Sequence, residues 1–196
     1  MATSLTMNDL SFYEPMRKNW FIVQFEADLL GSGNDSEALT IACKSCDIPQ
    51  LTTSENVIDR LNDKIYTAGK SEYNTISMSF YEYISEPVDA SGSGNRNKSA
   101  GEILYKWQQN LHNVRTGVQG AKKSVSKNVA IVQIDGNGNA VRVWNVYRAW
   151  PTGVEFANLD STDGAAQEVT LTLRYDWAEQ KNAQINLADK TANTLA

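Results

Sequence analysis

The chain has 196 residues, enough for one domain with a sizeable core, and its 41% hydrophobic and 21% charged composition is that of an ordinary globular protein. A net charge of −5 and a pI near 4.9 exclude the basic footprint of a general nucleic-acid binder. No apolar run approaches the ~20 residues of a membrane-spanning helix. The first ten residues have neither a basic nor an apolar segment, so no secretory leader and no stable membrane association is expected.

Residues 1–18 are polar and hold Pro15, which reads as an N-terminal arm. Trp20 to Glu26 is predicted to be a strand, and Gly31-Ser-Gly-Asn-Asp35 a turn. Ala38 to Lys44 alternates, with Leu39, Ile41 and Cys43 on one face, and is expected to pair with the first strand as a hairpin that ends at Ile48-Pro49. Residues 50–70 form a polar excursion carrying a short apolar patch, Ile65-Tyr66. Tyr73 to Tyr83 alternates again and points Ile76, Met78 and Phe80 inward.

Residues 85–99 have the composition of a linker. Ser99 and Glu102 stand at capping-box spacing, so a helix is predicted to start there. Its apolar stripe is Ile103, Leu104, Trp107, Leu111 and Val114, and the basic stretch 115–127 reads as a loop. Val129–Ile134 and Ala140–Val146 are strands joined by Asp135-Gly-Asn-Gly-Asn139, a hairpin turn because glycine and asparagine tolerate positive φ. The second of these strands is expected to stop at Trp150-Pro151, since proline cannot donate to a ladder. Glu168 to Trp177 alternates over a long half-buried strand, with Val169, Leu171, Leu173, Tyr175 and Trp177 on one side. About seven strands and one helix predict a mainly β fold of two antiparallel sheets packed as a sandwich.

No catalytic centre, cofactor site or metal site is expected. Cys43-Lys-Ser-Cys46 lacks a second ligand pair for zinc and does not open a helix beside a βαβ unit, so two free thiols are the simpler reading. His112 has no Ser or Cys partner in a recognisable motif. Gly92-Ser-Gly94 and Gly136-Asn-Gly138 lack the Lys-Ser/Thr ending of a phosphate loop. Lys122, Lys123 and Lys127 read as solvated surface, and Asp160-Ser-Thr-Asp163-Gly164 as a turn rather than a calcium loop. Trp20, Trp144 and Trp177 lie in strands, where core or interface burial is the default.

The ordered set Leu39–Lys44 with Ile48-Pro49, Asn62-Asp-Lys-Ile65 through Ala68-Gly69, Trp107-Gln108, Ala130-Ile-Val132, Trp150-Pro-Thr152 and Tyr175-Asp-Trp177 resembles the tail tube proteins of contractile-tailed bacteriophages. The likeness spans residues 19–178, which sets an arm at 1–18, a tube domain at 19–178 including the linker, and a tail at 179–196. The resemblance implies a non-enzymatic structural virion protein, assembled in the host cytoplasm. Homohexameric rings stack into a hollow tube inside a contractile sheath, and the inner sheets close into a continuous β-barrel. The implied partners are the sheath, tape-measure, baseplate and tail-terminator proteins, with DNA in transit through the lumen. By analogy the inner sheet comprises 38–44, 129–134 and 140–147, with Thr40, Lys44, Gln133, Asn145 and Tyr147 facing the channel. The 50–70 excursion resembles the arm that reaches neighbouring subunits, with Leu61, Asn62, Lys64, Ile65 and Tyr66 as contacts. Type VI secretion rings and phage-derived bacteriocin tubes share this fold and are the alternative. A monomeric carbohydrate-binding β-sandwich is a reading from another class, and an enzyme comes last.

Overall fold

The computed structural model describes residues 15–26, 34–84 and 98–186. Residues 1–14 of the arm, residues 27–33 with most of the predicted Gly31–Asp35 turn, most of the 85–99 linker and the last ten residues lie outside them. In chain order the elements are β1 (Phe21–Phe25), α1 (Asn34–Ala42), β2 (Cys43–Cys46), β3 (Leu51–Arg60), β4 (Asp63–Tyr73), β5 (Ile76–Tyr81), α2 (Ala100–Leu111), β6 (His112–Asn113), β7 (Val118–Gln119), α3 (Lys122–Val125), β8 (Lys127–Ile134), β9 (Asn139–Phe156), β10 (Glu168–Arg174) and β11 (Trp177–Asn186). The expected mainly β architecture of antiparallel sheets is what the chain adopts.

The long strand β9 organises both sheets. Its first half pairs with β8 on one side and β11 on the other, and β1 adds outside β8. Its second half pairs with β10, beyond which lie β5 and β2. All of these pairings are antiparallel. The strand passes between sheets at Arg148, whose φ of 54° lies in the left-handed region that non-glycine residues rarely adopt. The bend is pinned locally. The Arg148 N–H donates to Asn128 Oδ1 at 3.2 Å, and the Asp176 N–H donates to the Tyr147 carbonyl at 3.2 Å.

Contrary to the sequence expectation, β9 does not stop at Trp150-Pro151. The register slips there: Thr172 faces Gly153 and Leu173 faces Pro151, leaving Thr152 as an extra residue. The Thr152 hydroxyl donates to the Thr172 carbonyl at 3.0 Å. A bulge disrupts the ladder locally, so the missing proline N–H is tolerated inside a continuing strand.

A second correction concerns 38–44. Residues 34–42 are helical, and β1 takes β8 as its partner. Leu39 and Ala42 are buried while Ile41 is 68% exposed, a helical rather than alternating pattern. Asp35 and Glu37 in the first turn favour the positive end of the helix dipole. Asp35 is itself buried and bonds the Lys98 ammonium at 2.9 and 3.1 Å. Only Cys43–Cys46 is extended, and it pairs with β5.

Helix α2 begins as the sequence predicts. Ser99 Oγ accepts from the Glu102 N–H at 3.3 Å, and the Glu82 carboxylate accepts from the Gly101 N–H at 2.7 Å. The helix ends at Leu111, so Val114 is exposed in the β6–β7 turn instead of extending the stripe. Ile103, Leu104 and Trp107 enter a core with Val23, Phe25, Leu39, Ile76, Met78, Phe80, Ile131, Val146, Leu171 and Leu173. Phe25 meets the Trp107 ring edge-on at 6.4 Å, and the Trp107 Nε1–H donates to the Val125 carbonyl at 2.8 Å, which ties α3 to α2. At the β8–β9 hairpin the Asp135 carboxylate accepts from the Asn137 and Asn139 N–H groups at 2.9 and 2.7 Å, and Gly138 supplies φ 83°. Strand β11 pairs with β9 from Trp177 to Asn186, so the sheet runs past the 178 boundary drawn from sequence.

Candidate assembly interface

The polar excursion is a two-stranded ribbon. β3 and β4 pair from Leu51↔Tyr73 to Arg60↔Asp63, and at ~3.3 Å per residue the ten residues of β3 extend it by about 33 Å. Every residue of β3 is exposed. Among the described residues the ribbon is anchored only at its base. There Tyr73 packs against Tyr175 at 5.4 Å and donates its hydroxyl to the Ala178 carbonyl at 3.3 Å, and Arg174 pairs with Glu72. A register shift after Thr53 accompanies Gly69, where an added Cβ would lie 2.9 Å from the Ser54 carbonyl oxygen. Leu61 and Asn62 form the tip, and Lys64, Ile65 and Tyr66 follow on β4. Cross-strand pairing adds two residues that the sequence reading missed. Val57 stands opposite Tyr66 and Ile58 opposite Ile65. Since partners share a face and successive residues alternate, each face of the ribbon carries one exposed apolar pair. The signal was present as a second apolar couple, Val57-Ile58, but only pairing gives it meaning.

The sheet of β1, β8, the first half of β9 and β11 has one face in the core. Val23, Ile131, Trp144 and Val146 point that way. Gln133 pairs with Phe21 and Arg142 and shares their parity, so it belongs to the core side, not to an outer wall. Its Oε1, Arg142 Nε and Trp144 Nε1 are buried without a hydrogen-bond partner among the described residues. The opposite face carries Ile22, Gln24, Val132, Val143, Asn145, Tyr147, Trp177, Glu179 and Lys181. Tyr147 and Trp177 stack there at 3.9 Å. Thus Asn145 and Tyr147 share one outer face, but the other three residues assigned to that wall do not join them. Thr40 is in α1, donating to the Ser36 carbonyl at 2.9 Å. Lys44 lies in the other sheet, where its pairing with Glu168 raises its pKa.

The groups considered for chemistry are separate. Cys43 and Cys46 are free thiols, and burial pushes the Cys43 thiol up to about 11 and Cys46 higher still. His112 caps the end of α2 and is exposed. The Asp160 carboxylate accepts from the Thr162 N–H and hydroxyl, which holds its pKa low and makes a tight turn. An open groove of about 1000 Å³ runs between the C-terminal end of α2, the β6–β7 turn and Trp150–Thr152.

A strand shared between two antiparallel sheets, a helix along its second half and a long exposed ribbon make a fold that solved components of contractile injection systems share. The chain superposes on a component of the anti-feeding prophage baseplate with a TM-score of 0.63 at 15% identity, covering 87% of this chain and 97% of that one. It superposes on a component of an extracellular contractile injection system, the PVC sheath–tube complex, with a TM-score of 0.60 at 17% identity, covering 92% and 100%. Residues 96–179 match the family described as T4-like virus tail tube protein gp19. That segment contains Trp150-Pro-Thr152 and Tyr175-Asp-Trp177. No curated protein matches the chain.

Proposed function

We propose that this chain is the ring-forming subunit of a hollow inner tail tube, six copies to a ring, stacked inside a contractile sheath and conducting DNA during ejection. One observation carries the reading. Among the described residues β1 pairs only with β8, and β11 only with β9, so the first sheet presents an open edge on both sides. Open edges invite pairing with other chains. Setting the β1 edge of one copy against the β11 edge of the next continues the sheet round a ring and removes both edges. The face with Asn145 and Tyr147 then lines the channel, and its Glu179 and Lys181 offset each other in charge. Such a wall does not grip a moving polyphosphate, because tight binding grows with the number of phosphates neutralised. The ribbon reaches an adjacent subunit, since an isolated two-stranded hairpin is marginal in water.

The partners on this reading are the sheath, tape-measure, baseplate and terminator proteins, and the location is the virion tail after assembly in the host cytoplasm. The matching chains come from sheath–tube, baseplate and cap complexes, which supports such neighbours. An injection-system tube is the second reading, because the structures matched with TM-scores of 0.60 to 0.63 are components of such systems. Electron microscopy of the purified protein, with sedimentation, tests the common core of both. Rings or tubes are expected, and a monomer at every concentration refutes it.

A further inference from the structure

Charge is segregated along this chain in a way that the tube reading leaves unused. Between Glu102 and Asp135 there is no acidic residue, while Lys106, Arg115, Lys122, Lys123 and Lys127 occur. Between Arg148 and Arg174 there is no basic residue, while Glu155, Asp160, Asp163 and Glu168 occur. The fold places these two segments at opposite ends of α2. At its start, an added Cβ on Gly101 would lie 2.6 Å from the Phe156 ring, and Tyr105 meets Phe156 at 6.4 Å. The acidic loop 157–167 leaves β9 at that end. At the other end, Gln108 to Arg115 border the open groove with Trp150–Thr152. Tyr105 also lines the near side of the groove, but no residue of 157–167 from the same copy does.

The two surfaces are opposite in charge, and each carries apolar residues. The acidic loop presents Leu159, 84% exposed, between Phe156 and Asp160. The groove is lined by the apolar residues Leu111, Val114, Trp150 and Pro151 together with His112 and Arg115. Lys122 is engaged by Asp176, and Lys123 lies exposed beside it.

We propose that the acidic loop 157–167 of one copy docks in the groove at the C-terminal end of α2 of a second copy. Leu159 seats against the apolar lining, and the carboxylates face Arg115 in the groove and Lys123 on the adjoining α3. The contact joins unlike surfaces of the same chain, so it is head-to-tail and propagates instead of ending in a dimer. It rests on the tube reading, and identifies one of the surfaces by which copies meet.

The test is charge reversal on each side and on both. Arg115→Glu with Lys123→Glu reverses the groove and the adjoining α3, and Glu155→Lys with Asp163→Lys reverses the loop and the end of β9 that leads into it. Each one-sided variant is expected to raise the critical concentration for assembly, read by sedimentation, at least about tenfold, because like charges are then juxtaposed. The four-fold variant restores opposite charges and is expected to assemble within a few-fold of the parent. Circular dichroism confirms folding in every case. One-sided variants that assemble like the parent overturn the proposal, as does a folded four-fold variant no better than either half. A parent that never assembles overturns the tube reading as well, whereas parent tubes with indifferent variants overturn this contact alone.

Discussion

Replacing Ile65 and Tyr66 together by serine separates assembly from folding. Ile65 is 37% and Tyr66 62% exposed in the subunit, so what remains to be buried by a neighbour is about one whole side chain. At ~1.5–3 kcal/mol per fully buried large side chain, the ribbon loses about 2 kcal/mol of contact energy, a factor of about 30 in association per arm. On the proposed tube assembly the loss recurs at every arm of every ring, so the effect on a polymer is far larger than on one contact. The subunit itself loses little, because among the described residues the ribbon packs on the body only at its base, through Tyr73 and Tyr175. The assay pairs a thermal melt with pelleting and electron microscopy at fixed concentration. An unchanged melt with tubes absent or much shorter is expected. Normal tubes would show that the ribbon seats nothing, and a collapsed melt would show that Ile65 and Tyr66 belong to the subunit core; either result refutes the reasoning.

Arg148→Val should destabilise the subunit by about 2 kcal/mol in urea melts, because a β-branched residue fits poorly at φ 54°, while Arg148→Gly should stay within about 1 kcal/mol of the parent. The Asp135 carboxylate is held below the ordinary range, first by the Asn139 N–H. A depressed folded pKa contributes stability above the unfolded value of about 3.9 and loses it as pH falls through the folded one. Asp135→Ala should therefore be less stable than the parent at pH 7, and the gap should shrink on titration towards pH 2; a gap independent of pH would contradict this. Native Cys43 and Cys46 should react with a disulfide reagent at pH 8 on the order of a hundredfold more slowly than in urea, since burial suppresses the thiolate. Equal rates would show that these thiols are open to solvent.

Local chemistry was sufficient for some of this architecture. The alternation in Ile76-Ser-Met-Ser-Phe80 and in Val169–Tyr175 placed two strands and their buried faces, because a half-buried strand must repeat every two residues. Ser99 and Glu102 marked a helix start, and Asp135–Asn139 a tight hairpin, since each motif satisfies its own backbone groups within a few residues. Other features depended on partners distant in sequence. Residues 38–44 allow both a two-residue and a helical reading, and packing of Leu39 and Ala42 in the core decided for the helix. Pro151 remains inside a strand because β10 slips register opposite it. Gln133 turns towards the core because its parity is that of Ile131, which no window of the sequence orients. The apolar residues of the arm became a paired surface only when β3 met β4. The sequence alone determined the periodicities, caps and turns, which act over a few residues. The tertiary structure decided which edge, face and bulge each strand presents, because those are properties of strand pairs and depend on what lies across the ladder.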